Sequence, residues 1–310
     1  MNKLSHTPRG PRHAAASRAR ALEAAVRRLR RARLYYGHGT DNPRDDAAAL
    51  LGHALRLRRP LQARDLAAPL SAAAASRFDE LVRRRTEERL PAVYLTRRCW
   101  FAGVPFYVDE RVLIPRSPIA ELVESRFAPW VNPDAIRRIA DLGTGSGCIA
   151  LTCALAFPKA RVDAVDIDPG ALAVARINRA ALHLQKRVSL VKSDFFRGLK
   201  GRRYDIIVSN PPYVGAAEYA GLPPEYAHEP EHALRSGPDG MQAVRVLLRD
   251  ALRHLTPQGV LVVEVGNTEL AVQRGFPRLP FLWLTFARGG GGVFLLTAQQ
   301  LRAARKFLKG

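Results

Sequence analysis

A chain of 310 residues with 47% hydrophobic and 25% charged content has the make-up of a folded globular protein, long enough for two domains and a sizeable core. No apolar run approaches the ~18 residues of a membrane-crossing helix, the first twenty residues lack the apolar core of a secretory signal, and three cysteines (Cys99, Cys148, Cys153) make no disulfide framework, so membrane-spanning and disulfide-stapled classes are excluded and a reducing cytoplasm fits. The net charge of +21 is concentrated at the front, where residues 1–100 hold 22 Lys/Arg against 9 Asp/Glu; this reads either as a surface steering the chain toward RNA or ribosomal particles, or as solvated helix faces in an arginine-biased composition.

Residues 1–17 are polar, basic and punctuated by Pro and Gly, which predicts a disordered tail. A first helix is expected from Ser17 to Tyr36, with Leu22, Ala25, Val26, Leu29, Ala32 and Tyr36 on one stripe and Gly37 as a stop. Asn42-Pro43-Arg44-Asp45 reads as an N-cap, a proline at N1 and an acid at N3, opening a helix through Leu55. Ser71 caps a third helix with Ala75, Phe78, Leu81 and Val82 inward, ending near Pro91. Residues 18–95 are thus expected to form a small helical domain that recognises the substrate, and 96–114 a β-hairpin, within a linker over 96–118.

From 119 to 310 strands and helices alternate, which predicts a doubly wound, mostly parallel sheet. Ile136–Ala140 is a strand running into Asp141-Leu142-Gly143-Thr144-Gly145-Ser146-Gly147 and then an apolar helix, the first βα unit of a nucleotide-type fold whose glycines let the backbone approach a ligand. The dinucleotide fingerprint would need Gly at 148; Cys148 stands there, which argues against NAD. A second strand, Arg161–Val165, ends in Asp166, placed to hold two ribose hydroxyls. A third, Val188–Val191, precedes Ser193-Asp194-Phe195, where Asp194 accepts from an adenine amino group and Phe195 covers the ring. A fifth strand spans Val260–Val265, and Phe281–Phe286 with Gly292–Thr297 flank a glycine run as an antiparallel closing hairpin.

The fourth strand, Tyr204–Ser209, delivers Asn210-Pro211-Pro212-Tyr213. Such a loop suits one chemical problem, the presentation of a planar nitrogen to an electrophile. The Asn210 side-chain oxygen accepts one N–H, the Pro211 carbonyl accepts the other, the two prolines stiffen the loop and remove donors, and Tyr213 lies against the planar group. Together these loops describe an S-adenosylmethionine (SAM) site beside an amino-group acceptor, with Asp141, Gly143, Thr144, Gly145, Ser146, Gly147, Asp166, Asp194, Phe195 and Asn210 toward the cofactor and Asn210, Pro211, Pro212 and Tyr213 toward the chemistry. His228 and His232 stand four apart, but Pro230 breaks the helix that would make them a metal pair, so no metal is expected. Asp109, Glu110, Glu121 and Glu124 read as a solvated linker and helix face.

Residues 110–310 resemble the class I SAM-dependent amino methyltransferases with an Asn-Pro-Pro-Tyr motif, and Val112-Leu113-Ile114-Pro115-Arg116 and His228–Leu234 with Gly237-Pro238-Asp239-Gly240 resemble the bacterial protein-(glutamine-N(5)) methyltransferases. Within that family Ser117-Pro118-Ile119-Ala120-Glu121-Leu122, Tyr35–Asn42 and Trp100–Arg111 are similar to the branch acting on the third large-subunit ribosomal protein, and unlike the release-factor branch. The resemblance implies an α/β fold of class I with an antiparallel last strand, a small N-terminal helical domain, methyl transfer to a glutamine side-chain amide, a ribosomal-protein partner with rRNA or an assembly intermediate as a further candidate, no membrane partner, and Glu229-Pro230 lining the acceptor cleft. Release-factor methylation, nucleobase amino methylation and a SAM-binding assembly protein are the alternatives; the same loop serves the first two.

Overall fold

The computed structural model describes residues 17–308; of the expected basic tail, residues 1–16 lie outside them. The chain divides into two compact units, one made of residues up to Tyr36 and Thr40–Thr96, the other of Gly37–Gly39 and Arg97 onward.

The first unit holds α1 (Arg18–Arg31), α2 (Pro43–Ala54), α3 (Ala72–Glu87) and α4 (Ala92–Thr96). Each of the first three starts where a side chain satisfies orphan backbone donors. Ser17 accepts from Arg20 N, Asn42 from Arg44 N and Asp45 N, and Ser71 from Ala74 N. The first helix is shorter than its apolar spacing suggests: Arg33 takes a left-handed φ of 48° and the chain leaves the helix before Leu34. On α3 the buried row is Ala74, Phe78, Val82 and Arg85, with Ala75 and Leu81 only half-buried. Arg85 is the unforeseen member. It is 1% exposed, donates to Asp46 Oδ2 on α2 at 2.6 Å and to the Tyr35 carbonyl at 2.8 Å, while Thr40 Oγ1 donates to the other Asp46 oxygen at 2.5 Å.

The second unit opens with a two-stranded hairpin, β1 (Cys99–Phe101) and β2 (Val104–Phe106), much shorter than the 96–114 expected. There follow α5 (Ile119–Glu124), β3 (Arg138–Leu142), α6 (Cys148–Ala156), β4 (Arg161–Asp166), α7 (Pro169–Ala181), β5 (Val188–Lys192), β6 (Tyr204–Ser209), α8 (Ala216–Ala220), α9 (Gln242–His254), β7 (Leu255–Glu264), α10 (Glu269–Gly275), β8 (Leu282–Leu284), β9 (Val293–Thr297) and α11 (Ala298–Ala303). The sheet order is β5-β4-β3-β6-β7-β9-β8. The first five strands are parallel, and β9, last in the chain, is inserted between β7 and β8 and runs against both.

Alternate residues of the central strands feed two apolar layers, as the two-residue strand period requires. Ile139, Val162, Ile206, Val208 and Val262 join one layer with Ile149 and Phe157, whereas Ala140, Leu142, Ile207, Leu261 and Val263 join the other with Leu247, Leu248 and Leu301. The strand order reverses between β3 and β6. There Leu142 pairs with Ser209, so the segments leaving both C-terminal ends emerge side by side, which is where ligands bind in open α/β sheets.

Removing one partner of a buried ion pair leaves an uncompensated charge, at a cost of about 3–5 kcal/mol. Arg85→Ala should lower the unfolding free energy of the helical unit by that amount, read as a lower urea midpoint, and Arg85→Met combined with Asp46→Leu should recover most of the loss. A single mutant as stable as the parent in urea melts would show that Asp46 is satisfied without Arg85.

Candidate active site

A cavity of about 410 Å³ opens at the strand-order reversal. Of the residues expected there, Gly143, Thr144, Gly145, Ser146, Asp166, Asp194, Phe195, Asn210 and Pro212 line it. Gly143 and Gly145 take positive φ (75° and 53°), and a Cβ on Gly145 would project into open space, so the backbone forms a bare cradle. Asp166, at the tip of β4, spans the floor: Oδ2 accepts from Gly145 N at 2.8 Å and Oδ1 from Asp168 N at 3.0 Å. Burial raises its pKa above the ordinary value. Phe195 holds a left-handed φ of 44°, a strained state for a non-glycine residue at a ligand wall. Ser193 stabilises that turn, its Oγ donating to the Phe195 carbonyl at 3.0 Å and accepting from Gly198 N at 2.7 Å. Asp194 faces the cavity and pairs with exposed Arg197 at 3.1 Å.

Four expected residues stand behind the cavity lining. The first strand runs two residues further than its sequence pattern suggests, so Asp141 lies within β3, fully buried. Its Oδ2 accepts from Thr144 Oγ1 (2.6 Å) and Ala150 N (3.0 Å), pinning the glycine loop to the start of α6, and burial pushes its pKa up to about 7. Gly147 serves packing: a Cβ there would come within 3.2 Å of Ala175 and Leu151 side-chain carbons. Pro211 is buried behind Gly143, and Tyr213 is half-buried with its ring under Gly266, where a Cβ would approach Tyr213 Cε2 to 2.6 Å.

The Asn-Pro-Pro-Tyr loop is held at each residue after the prolines. Thr268 Oγ1 donates to the Tyr213 carbonyl at 2.7 Å, Val214 N donates to the Leu234 carbonyl and Ser236 N to the Val214 carbonyl. Against this satisfied frame, Asn210 Oδ1 is a buried acceptor without a hydrogen-bond donor among the described residues.

The remaining wall is the segment 111–117, which lies on a network of buried polar groups. Glu229 accepts from Ile114 N at 3.0 Å and from both terminal nitrogens of Arg116 at 2.6 and 2.7 Å. Glu229 is outside the lining, unlike the expectation for Glu229-Pro230: it clamps the wall from behind. Burial opposes its charge, yet Arg116 and His38, whose Nε2 lies 3.6 Å away, bring its pKa down to about 2. Glu264, at the end of β7, goes the other way: burial raises its pKa to about 7, while it accepts from Ser117 Oγ and stands 3.4 Å from the Tyr213 hydroxyl. Asn178 on α7 joins the wall to the cradle, accepting from Tyr107 N and donating to the Tyr107 and Ser146 carbonyls at 2.7, 2.9 and 2.9 Å. Neither Asn178 nor Glu264 carries a local sequence signal, because their partners are 32 to 147 residues away. Among the described residues no cluster of His, Cys, Asp or Glu has the geometry of a metal site, and His232 lies 3.5 Å from Asp168 at the cavity edge.

A glycine cradle at the reversal point, acids after the next two strands and an Asn-Pro-Pro-Tyr loop beside them, on a sheet with one inserted antiparallel strand, define a class I SAM-dependent methyltransferase. The chain fits that donor: an open backbone cradle, a buried carboxylate and an aromatic ring line one cavity. Residues 127–278 match the methyltransferase small domain and residues 20–96 the PrmC N-terminal domain. The chain is 46% identical over 281 residues to the ribosomal protein uL3 glutamine methyltransferase of Neisseria gonorrhoeae, covering 90% of this chain and 94% of that one. It is 47% identical over 281 residues to that of Neisseria meningitidis (90% and 92%) and 45% identical over 287 residues to that of Burkholderia pseudomallei (90% and 94%). The chain belongs to the ribosomal protein uL3 glutamine methyltransferase family.

Because the folded pKa of Glu264 lies above its ordinary 4.5, its contribution to stability is complete below that value and is lost as pH rises through about 7. Glu264→Gln should therefore flatten the decline in unfolding free energy between pH 5 and 7, by up to about 1.4 kcal/mol per pH unit. An identical pH slope in both proteins, measured by urea denaturation, would mean that Glu264 is ionised throughout.

Proposed function

We propose that this chain methylates the side-chain amide nitrogen of a glutamine in the large-subunit ribosomal protein uL3, with SAM as methyl donor. Asn210 carries this reading. A buried neutral acceptor without a donor, on a loop stiffened by two prolines, suits the N–H of an uncharged primary amide. The Pro211 carbonyl takes the second N–H, so the amide plane is fixed and its nitrogen faces the methyl group. Tyr213, anchored through Thr268 and near Glu264, backs the loop against rotation.

SAM supplies a methyl group on a positively charged sulfur that is already strongly electrophilic. The protein's work is to orient a poor nucleophile and exclude water, the kind of assistance that placement alone provides. In this assignment Gly143, Thr144, Gly145 and Gly147 run along the methionine part, Gly147 from behind through its tight packing on α7; Asp166 receives the ribose hydroxyls, Asp194 the adenine amino group, and Phe195 covers the ring. Asp141 acts through the loop it pins.

The names of the relatives support uL3 as partner, and Ser117-Pro118-Ile119 separates the chain from the release-factor branch. Residues 18–95 are assigned to partner recognition, because every SAM and acceptor motif lies after residue 140. Cytoplasmic residence follows from such a substrate; among the described residues no helix is long and apolar enough to cross a membrane.

Asp166→Ala removes charge-assisted bonds worth about 1.5–3 kcal/mol and should weaken SAM binding roughly ten- to a hundredfold in calorimetry, with the fold retained. Unchanged affinity would refute the ribose assignment. Asn210→Ala should cut methyl transfer to uL3 by about 10²–10³ while leaving SAM affinity within a few-fold. Near-parental turnover by that variant would place the acceptor elsewhere.

A further inference from the structure

The arginines of the helical unit are treated in two different ways by its fold. On α3 each has a partner: Arg77 donates to the Ala54 carbonyl, Arg83 reaches Glu80, Glu87 and Glu88, Arg84 reaches Glu88, and Arg85 is buried on Asp46. On α1 six arginines face a single acid, Glu23, which Arg44 occupies. Arg18 donates to the Asp65 carbonyl and Arg28 pairs with Asp79, but Arg30 on the flank and the row Arg20, Arg27 and Arg31 are exposed and pair with no acid among the described residues. At about 100° per residue these three fall within about 40° of one another, opposite the buried Leu22, Ala25, Val26 and Leu29. The row spans about 16 Å at 1.5 Å per residue. The helix α3 has four arginines and three acids in its own span and leaves none of those arginines without a partner, whereas α1 has six arginines and one acid.

We propose that Arg20, Arg27 and Arg31 form a phosphate-binding stripe through which the helical unit docks RNA. Like charges held in a row on one rigid helix face are electrostatically unfavourable until a polyanion lies along them, and the length of the row suits repeated phosphates better than a single anion. Guanidinium groups bind phosphate oxygens in a bidentate fashion. The face offers no apolar anchor of the kind a protein interface core requires, only Ala24, and the apolar side of α1 is already buried, so the helix has no hydrophobic face to insert into a lipid surface. This site goes beyond the methyl-transfer assignment and does not depend on which glutamine is modified.

The full-length chain would be titrated with a fluorescein-labelled single-stranded RNA oligonucleotide at increasing KCl. Each phosphate contact on a single strand contributes about 0.7 to the slope of log K against log salt. The variant R20Q/R27Q/R31Q should therefore lose about 2 from that slope and bind at least tenfold more weakly at low salt, whereas R20K/R27K/R31K should keep the slope. Both should keep the parent's helical circular dichroism and urea melt, which reports an intact helical unit, and should bind SAM as the parent does. An unchanged slope in the glutamine variant, or tighter parental binding to polyglutamate or to phosphatidylserine vesicles than to the RNA, would overturn the proposal.

Discussion

The parallel pairing of Leu142 with Ser209 is the constraint on which the catalytic unit depends. It sets the glycine cradle and the Asn-Pro-Pro-Tyr loop on adjacent strands at one level, and the Ser209 hydroxyl fixes that level by donating to the Leu142 carbonyl at 2.6 Å. A slip of one residue would exchange the two faces of β6, sending Ile207 into the layer of Ile206 and the acceptor loop away from the cradle. The strands on the far side keep the same level. Asp166 ends β4 opposite Lys192 of β5, so the acid of one loop and the Ser193–Phe195 turn of the next reach a common cavity. The chemistry therefore rests on backbone register before it rests on any side chain.

Arg116 organises the wall that faces this floor. It binds Glu229 through two short bonds and lies over the Tyr226 ring, 5.6 Å from its centroid, and its positive charge keeps Glu229 ionised although that carboxylate is 4% exposed. Glu264 is comparably buried, but its partners are the hydroxyls of Ser117 and Tyr213 instead of a guanidinium fork, and burial prevails. Two carboxylates flanking one strap thus take opposite ionisation behaviour from their partners. Both tie segment 111–117 to the rest of the unit, Glu229 through the backbone of Ile114 and Glu264 through Ser117, and the latter also approaches the aromatic end of the acceptor motif. The glycines after β7 and before β9 complete this packing: a Cβ on Gly266 would clash with the Tyr213 ring at 2.6 Å, and one on Gly290 would press on Pro118 at 3.0 Å.

Much of this was legible in the sequence because local motifs carried it. Asn42 and Ser71 announced their helices through capping chemistry, and the glycine turn and Asn-Pro-Pro-Tyr loop announced themselves through residues whose backbone preferences are strong. The first strand was displaced by two residues because Arg137 and Arg138 interrupt its apolar pattern, and that shift moved Asp141 from a supposed tip into the sheet. Arg85 was not singled out in the sequence, since the helical period alone does not show that Asp46 waits across the bundle. Glu229 was assigned to the cleft through resemblance, and only its bonds to Ile114 and Arg116 reveal a clamp. Asn178 and Glu264 were missed altogether: a buried polar residue inside an ordinary helix or strand has no signature until its distant partner is known.

The proposed selection of an uncharged amide rests on Asn210, which lines the cavity and whose neutral side-chain oxygen is a buried acceptor without a donor among the described residues. The direct measurement is to incubate the full-length enzyme with purified uL3 and SAM and to locate the added methyl group by fragmentation mass spectrometry. The account predicts a single methyl on the side-chain nitrogen of a glutamine. A methyl group on a lysine, on an arginine or on the amino terminus, in place of a glutamine, would contradict it.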